Sequence, residues 1–417
     1  MFVQEHTGYR YRLYPSADQA DALASWAGCA RAVWNAALEQ RHTAWRMRQQ
    51  RVRWPAQDAE LTEAKRAFPW LAEPHSDVLQ QALRDLDRAF ATFFRREARY
   101  PGFKRKGRDS FRIQSRPGKG EINVRRLNRR WGEVRVPKLG WVRFRFSRKP
   151  LGAIKHLTIS RDALGWHVSL CCAREAETPP QHFGPPVGLD RGVAATAALS
   201  TGALYSCPGL GHGQAERLRR LMRKAGRQEA ARRRRAAGKR RRSRRHQRTL
   251  DRVARLCARE ARIRRDFLHR LSCGLAKSHG LIAIERLDVA SMTASAKGTA
   301  DQPGTGVAQK RGLNRAILAQ GWGELRRQLV YKTAREGGRL VEAPAQLSSR
   351  TCAECSHVDE ASREGRRFRC TACGHAAHAD INAARVILAR AVEGQRTAAG
   401  LGRRGTGSPL RWHGVEP

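Results

Sequence analysis

Four cysteines toward the C-terminus are spaced as metal ligands. Cys352 and Cys355, then Cys370 and Cys373, form two Cys-x-x-Cys pairs in TCAECSHVDEASREGRRFRCTACGH. A loop of ordinary length between such pairs fits a zinc ribbon with four thiolates in tetrahedral geometry. Four protein ligands leave no open position on the ion, so this zinc would hold structure rather than perform chemistry. His375 and His378 are the alternative ligands in the same stretch.

Three acids also stand apart. Asp190 ends the apolar VGLD, Glu285 ends LIAIE, and Asp380 opens the alanine-rich DINAARVI. A lone carboxylate on an otherwise apolar element is costly unless a cation compensates it. Taken singly, each acid could cap a helix or pair with an arginine. Taken together they predict one shared site for divalent metal, magnesium or alternatively manganese. Two such ions, roughly 3.5–4 Å apart, activate a water and stabilise the leaving oxygen in phosphodiester hydrolysis.

The chain that must position these groups has 417 residues and 41% hydrophobic content, enough for real cores. Its 82 Lys and Arg against 37 acids give a net charge of +45, which implies a polyanionic partner, nucleic acid first. The opening MFVQEHTGYRYRLYP lacks the apolar core of a signal peptide, and no later stretch is apolar for long enough to span a bilayer. A soluble, cytoplasmic, nucleoid-associated protein with no membrane partner is expected. Cys29, Cys171, Cys172, Cys207, Cys257 and Cys273 read as buried free thiols.

YRYRLYP alternates like a strand, and the residues from Ser16 through Tyr100 carry helical periodicity behind a Ser/Asp start signal. From SFRIQSR to WHVSLCCAREA short alternating segments predict a β module, followed by the linker ETPPQHFGPP. VGLDRGVAATAALSTGALYS predicts two tightly joined strands, LIAIERL a buried parallel strand, LNRAILAQGWGELRRQLVYKTAREGG one helix, and RLVEAP a further strand. Between them lies a very basic segment. Its blocks Arg232, Arg233, Arg234, Arg235 and Lys239, Arg240, Arg241, Arg242 suit a phosphate backbone, with a solvated helix pair as the alternative. In YPGFK, Tyr100, Phe103 and Lys104 could contact nucleic acid or form an aromatic turn packed on the β module.

In their order and spacing YRYRLYP, QQALRDLDRAFATFFRREARYPGFKRKGRDSFR, GLDRGV, IERLDV, SSRTCAEC, FRCTACGH and DINAAR make the chain resemble the TnpB family. These are insertion-sequence proteins, also called OrfB transposases, related to miniature type V CRISPR effectors. The resemblance covers nearly the whole chain. It implies an α/β multidomain protein with a RuvC-like nuclease of RNase H fold, a zinc ribbon, and an N-terminal wedge β-barrel carrying a helical recognition insertion. The implied boundaries are 1–16 and 99–183 for the barrel, 17–98 for the insertion, 184–345 and 376–395 for the nuclease, 346–375 for the ribbon, and 396–417 for a basic disordered tail.

The resemblance further implies a transposon-associated, RNA-guided DNA endonuclease. A guide RNA and target double-stranded DNA would be its partners, and Asp190, Glu285 and Asp380 its catalytic metal ligands. Two alternatives stand beside it. A strand-transferring transposase usually orders its acids Asp, Asp, Glu, whereas this chain runs Asp, Glu, Asp; a DNA-binding regulator without cleavage would have lost acids that are all present here. The chain departs from the family in Arg191 after the first Asp, Arg286 after the Glu, and Ser356 in place of a glycine. Because successive strand side chains face opposite ways, the two arginines are expected to point away from the metal.

Overall fold

The computed structural model describes residues 2–107, 109–116, 121–234, 242–299 and 301–401. They fall into two compact units, 1–177 with 235–258, and 178–234 with 259–417.

The first unit is built around its own beginning. Strand β1 (Phe2–Tyr14) turns Tyr9, Tyr11 and Leu13 inward. Ser16 then starts α1 (Ala17–Arg48) with a capping box: its hydroxyl accepts from the Gln19 N–H at 3.2 Å, and the Gln19 side chain accepts from the Ser16 N–H at 3.1 Å. Helices α2 (Trp54–Ala67) and α3 (Ser76–Phe94) follow. Six strands complete the unit's sheet: β2 (Ser110–Gln114), β3 (Val124–Arg126), β4 (Trp131–Val136), β5 (Gly140–Arg145), β6 (Ala153–Asp162) and β7 (Gly165–Glu177).

The seven strands run in the order β2-β6-β7-β1-β5-β4-β3, so β1 lies at the centre, antiparallel to both β7 and β5. The pairing among the described residues is open from β2 to β3, with Ser115 Oγ accepting from the Ile122 N–H at 3.1 Å between residues flanking those two strands. Leu23 and Trp26 of α1, Leu79 of α3, and Phe111, Phe144 and Leu170 of the sheet share one core.

The second unit begins where the linker was expected. That segment is held in place: the His182 N–H donates to Gly337 O at 3.0 Å and its ring lies 2.9 Å from Lys277 O. Strands β8 (Val187–Asp190), β9 (Ala197–Leu199) and β10 (Leu204–Tyr205) lead into helices α4 (His212–Arg234) and α5 (Arg244–Ser278), the latter counted with this unit from residue 259 on. Next come β11 (Leu281–Glu285), the short α6 (Val289–Met292), then α7 (Val307–Gln320), α8 (Trp322–Arg335) and β12 (Arg339–Ala343). The chain closes with β13 (Arg363–Glu364), β14 (Arg367–Arg369), β15 (Ala376–His378) and α9 (Ala379–Leu401).

Two expectations are corrected. The single helix predicted across LNRAILAQGWGELRRQL is broken at Gly321, whose φ of 73° ends α7 in a left-handed turn that a residue with a Cβ rarely adopts. The tail predicted from residue 396 remains helical to Leu401, and its remainder lies outside the described residues.

A mixed sheet in the order β10-β9-β8-β11-β12 forms the centre of this unit, with β8, β11 and β12 parallel. Both faces are covered, which is why VGLD and LIAIE read as unbroken apolar runs. On one face Val187, Leu189, Ile282 and Ile284 pack with residues of α5 and α8 such as Leu271 and Leu329. On the other, Ala283 and Ala343 pack with Ile387 and Ala391 of α9. At Gly188 that second face admits the helix only because no side chain intervenes. A Cβ placed on Gly188 would lie 2.0 Å from Ala384 O and 2.9 Å from the Leu388 Cβ.

Gly188→Ala should therefore cost more than about 2 kcal/mol, since backbone blocks any relief of the clash. Urea unfolding measures this; a variant as stable as the parent would refute the close approach.

Candidate functional site

The register of the parallel strands brings the first two acids together. Ile284 pairs with Leu189, so Glu285 and Asp190 follow as neighbours at the carboxyl ends of adjacent strands, whose backbones lie about 4.8 Å apart across the sheet. Side chains alternate along a strand, so Asp190 shares a face with Gly188, and Glu285 with Ala283. That is the face α9 covers, and α9 carries Asp380 in its first turn. Carboxyl ends of parallel strands are where such sheets place their sites.

The electrostatics report the same convergence. The Asp190 carboxyl is pushed up to about 7, first by burial and then by the charges of Glu285 and Asp380, with Arg363 opposing. Glu285 and Asp380 are themselves buried. Residues that sequence reading passed over surround the acids. Ser348 donates a hydrogen bond from its hydroxyl to Glu285 Oε1, and Arg363 Nη2 lies 3.2 Å from Asp380 Oδ1. Arg191, expected to point away, is buried instead and donates to the main-chain carbonyl of Glu285 rather than to its carboxylate. Arg286 is exposed as expected. The only signal for Ser348 and Arg363 was their closeness to the cysteine pairs, which does not say what they touch.

The four cysteines fit zinc. Their sulfurs lie within 4.8 Å of one another, and no other group of three or more potential ligands among the described residues gathers in this way. Sγ of Cys352 and Cys373 are 3.7 Å apart and those of Cys355 and Cys370 are 3.6 Å apart. A tetrahedron with Zn–S bonds of about 2.3 Å has edges of about 3.8 Å. The N–H of Cys373, helped by that of Ala372, favours the Cys370 thiolate and holds its thiol down at about 6. The two knuckles are built alike. Ser356 N–H donates to Cys352 O and Gly374 N–H to Cys370 O, both at 3.1 Å, with φ of 61° and 74°. Ser356 therefore holds in the first knuckle the left-handed turn that Gly374 holds in the second.

The cysteine module is wired to the acids. β15 runs directly into α9, and the fully buried Asn382 grips the first knuckle: its Nδ2 donates to Thr351 O at 2.7 Å and its Oδ1 accepts from the Ala353 N–H at 3.0 Å. Arg390 adds a bond from Nη1 to Gln346 O at 2.5 Å.

The expected nucleic-acid contacts separate. Arg232 and Arg233 pair with Glu229 at 2.7 and 3.4 Å on α4, while Arg234 and Arg242 are exposed. Arg235, Lys239, Arg240 and Arg241 lie outside the described residues. Lys104 is committed to the fold, its Nζ 3.8 Å from the Trp34 ring centroid, and burial lowers its pKa. Its N–H and carbonyl are held by Asn35, and Gly102 O accepts from Trp34 Nε1. Tyr100 and Phe103 remain exposed. Of the six other cysteines, Cys29 and Cys172 are buried and four are partly exposed.

An α/β protein with three carboxylates on one sheet face and a four-cysteine module beside them is thus defined. Residues 169–296 match the family model "Probable transposase" of OrfB, 322–387 the "Cas12f1-like, TNB domain", and 1–50 a "Helix-turn-helix domain". Residues 1–50 contain a strand and one uninterrupted 32-residue helix rather than two helices. The chain is 36% identical over 385 residues to "Putative RNA-guided DNA endonuclease InsQ" of Escherichia coli (strain K12), covering 91% of each. It is 35% identical over 397 residues to "Putative RNA-guided DNA endonuclease" of Streptomyces pristinaespiralis, covering 93% of this chain and 90% of that one. The chain belongs to the TnpB/OrfB family. Its fold is similar to that of Cas12f1 in a solved complex with guide RNA and target DNA, with a TM-score of 0.52 at 12% identity over 93% of this chain and 98% of that one.

Asp190 has a folded pKa of about 7, above its ordinary 3.8, so the folded chain holds a proton that the unfolded chain releases. Its contribution to stability is lost as pH rises from about 4 through about 7. In metal-free protein, Asp190→Asn should raise the melting temperature at pH 8 clearly more than at pH 5, where only part of the penalty has developed; an equal effect at both would refute the shift. Asn382→Ala should cost roughly 1–3 kcal/mol by leaving a buried carbonyl and N–H unpaired. It should also speed zinc release to a chelator, read with a zinc-sensitive dye; unchanged release would sink the proposed grip.

Proposed function

We propose that this protein is an RNA-guided DNA endonuclease that hydrolyses phosphodiester bonds at the site of Asp190, Glu285 and Asp380, beside a short recognition motif in its target. The observation that carries the reading is the convergence of these three acids, which are distant in sequence, at one buried sheet face, where burial and the charges of Glu285 and Asp380 oppose that of Asp190. Membership of the TnpB/OrfB family supports the guided part of the reading.

The second unit would be the nuclease. Its mixed sheet, with three parallel strands of which two end in Asp190 and Glu285, and with a helix carrying Asp380 across the same face, is consistent with a RuvC-like RNase H fold. In the first unit, the strands of 1–16 and 99–183 would form the wedge module and 17–98 the recognition insertion. Residues 346–375 would bind a structural zinc.

Divalent ions held by the three carboxylates, with magnesium the natural candidate, would supply an activated water and positive charge at the scissile phosphate. The chain's own groups prepare the site. Asp190 sheds its proton near neutral pH, where the desolvated carboxylate becomes a strong ligand for a cation. Ser348 fixes the Glu285 rotamer through its hydrogen bond to Oε1, while Arg363 places a guanidinium beside Asp380. Exposed Arg and Lys would hold the guide, whose pairing supplies sequence specificity.

Glu285→Gln removes one ligand charge without changing side-chain size. Cleavage of a plasmid target by protein purified with its RNA should fall to background, with RNA and target binding kept within a few-fold. Undiminished cleavage would place the chemistry elsewhere.

A further inference from the structure

One surface of the first unit takes no part in the site above. Where α1 and α3 end and the following turn begins, large aromatic side chains stand in solvent: Trp45 is 47%, Phe94 66%, Tyr100 49% and Phe103 56% exposed. Most of them form a cluster. Phe94 stacks on Phe90 at 6.2 Å and lies 5.3 Å from Phe93, while Tyr100 meets Phe90 and Phe93 edge-on at 5.4 and 5.3 Å. The Arg51 guanidinium joins Trp45 to this group, 5.9 Å from the Trp45 centroid and 6.0 Å from that of Phe94. Phe90, packed on the core of the unit, anchors the ledge.

Stability does not account for it. Aromatic rings left in water forgo most of the gain from burial, and a contiguous exposed apolar patch marks a binding surface. A protein or a lipid headgroup layer could also take such a patch, but its charge selects among partners. Arg46, Arg48, Arg51 and Arg53 follow Trp45 with no acid among them, and Arg95, Arg96, Arg99, Lys104, Arg105 and Lys106 surround Tyr100 and Phe103 with one acid, Glu97. Arg95 pairs with Glu97 at 3.0 Å and Lys104 covers Trp34, while Arg46, Arg48, Arg53, Arg96, Arg99, Arg105 and Lys106 are exposed. A polyanion with flat apolar faces satisfies both features.

We propose that Trp45, Phe94 and Tyr100, with Arg51 among them, are a base-stacking platform for an unpaired stretch of nucleic acid. The inference rests on the nucleic-acid reading above and adds where, and in what form, the strand is held. Every base has a π face, so stacking tolerates any sequence while cationic neighbours follow the phosphates. A duplex hides those faces, so paired nucleic acid cannot use the ledge. RNA and DNA offer the same π chemistry.

The test measures binding of full-length protein to short labelled oligouridine, oligothymidine and a blunt-ended duplex, by fluorescence anisotropy across a range of salt. Trp45→Ala and Phe94→Ala should each weaken single-strand binding about tenfold. The slope of log affinity against log salt should stay the same, because no cation is lost. Duplex binding should not change. A loss confined to oligouridine would assign the ledge to RNA, and one confined to oligothymidine to DNA. Unchanged single-strand binding, or equal weakening of single strand and duplex, overturns the proposal and leaves the nucleic-acid reading intact. Failure of the parent protein to bind any of the three probes overturns both. If Phe94→Ala lowers the melting temperature, Trp45→Ala alone decides the outcome.

Discussion

Three buried carboxylates meet at one face of a sheet, where burial and the charges of Glu285 and Asp380 oppose that of Asp190. Such a cluster persists only if the backbone gives the acids no room to separate. Asp190 and Glu285 cannot separate because their strands are hydrogen-bonded in parallel register. Asp380 cannot withdraw because α9 packs on Ala283 and is pressed against Gly188, where a Cβ would meet its backbone. The small residues of VGLD and LIAIE are therefore part of the site, although they touch no substrate.

The four-cysteine module supplies the other half of that constraint. Its strand β15 passes straight into α9, so the ribbon sets where the helix begins and hence where Asp380 stands. Asn382 and Arg390 bind the helix back to the knuckle and to the segment leading into it, and that same segment offers Ser348 to Glu285. Arg363, on the ribbon's first strand, reaches Asp380. A structural zinc site would thus be coupled to the carboxylate centre through hydrogen bonds, without a ligand in common. Ser356 accepts a left-handed backbone to keep the first knuckle in the same form as the second, at a cost of order 1 kcal/mol.

The first unit solves a different problem, how a chain this basic still folds. Its cationic groups are spread over aromatic rings as well as acids: Arg84 covers Trp54 at 4.6 Å, Arg148 covers Tyr9 at 5.3 Å, and Lys104 covers Trp34. Such contacts pair a cation with an apolar face and consume no acid, which suits a chain with 82 basic residues and 37 acids. They also explain why YPGFK was ambiguous in the sequence. Its lysine turned inward onto Trp34, while Phe103 stayed in solvent.

Much of this was legible without coordinates, because it depends on local chemistry. Cys-x-x-Cys spacing implies a tetrahedral ligand set, unbroken apolar runs imply strands covered on both faces, and Ser16 with Gln19 starts a helix whatever surrounds it. What tertiary structure alone decided concerns contacts between segments far apart in the chain. Arg191 was expected to point outward by strand alternation, but the strand ends at Asp190, so its side chain was free to turn back to the Glu285 carbonyl. Gly321 broke a helix whose periodicity continued across it, because a single left-handed residue outweighs the pattern on either side. Ser348, Arg363 and Asn382 carry no spacing signal. Their roles arise from the close packing of α9 on the sheet, which brings residues of three separate segments within hydrogen-bonding distance of the acids and the first knuckle.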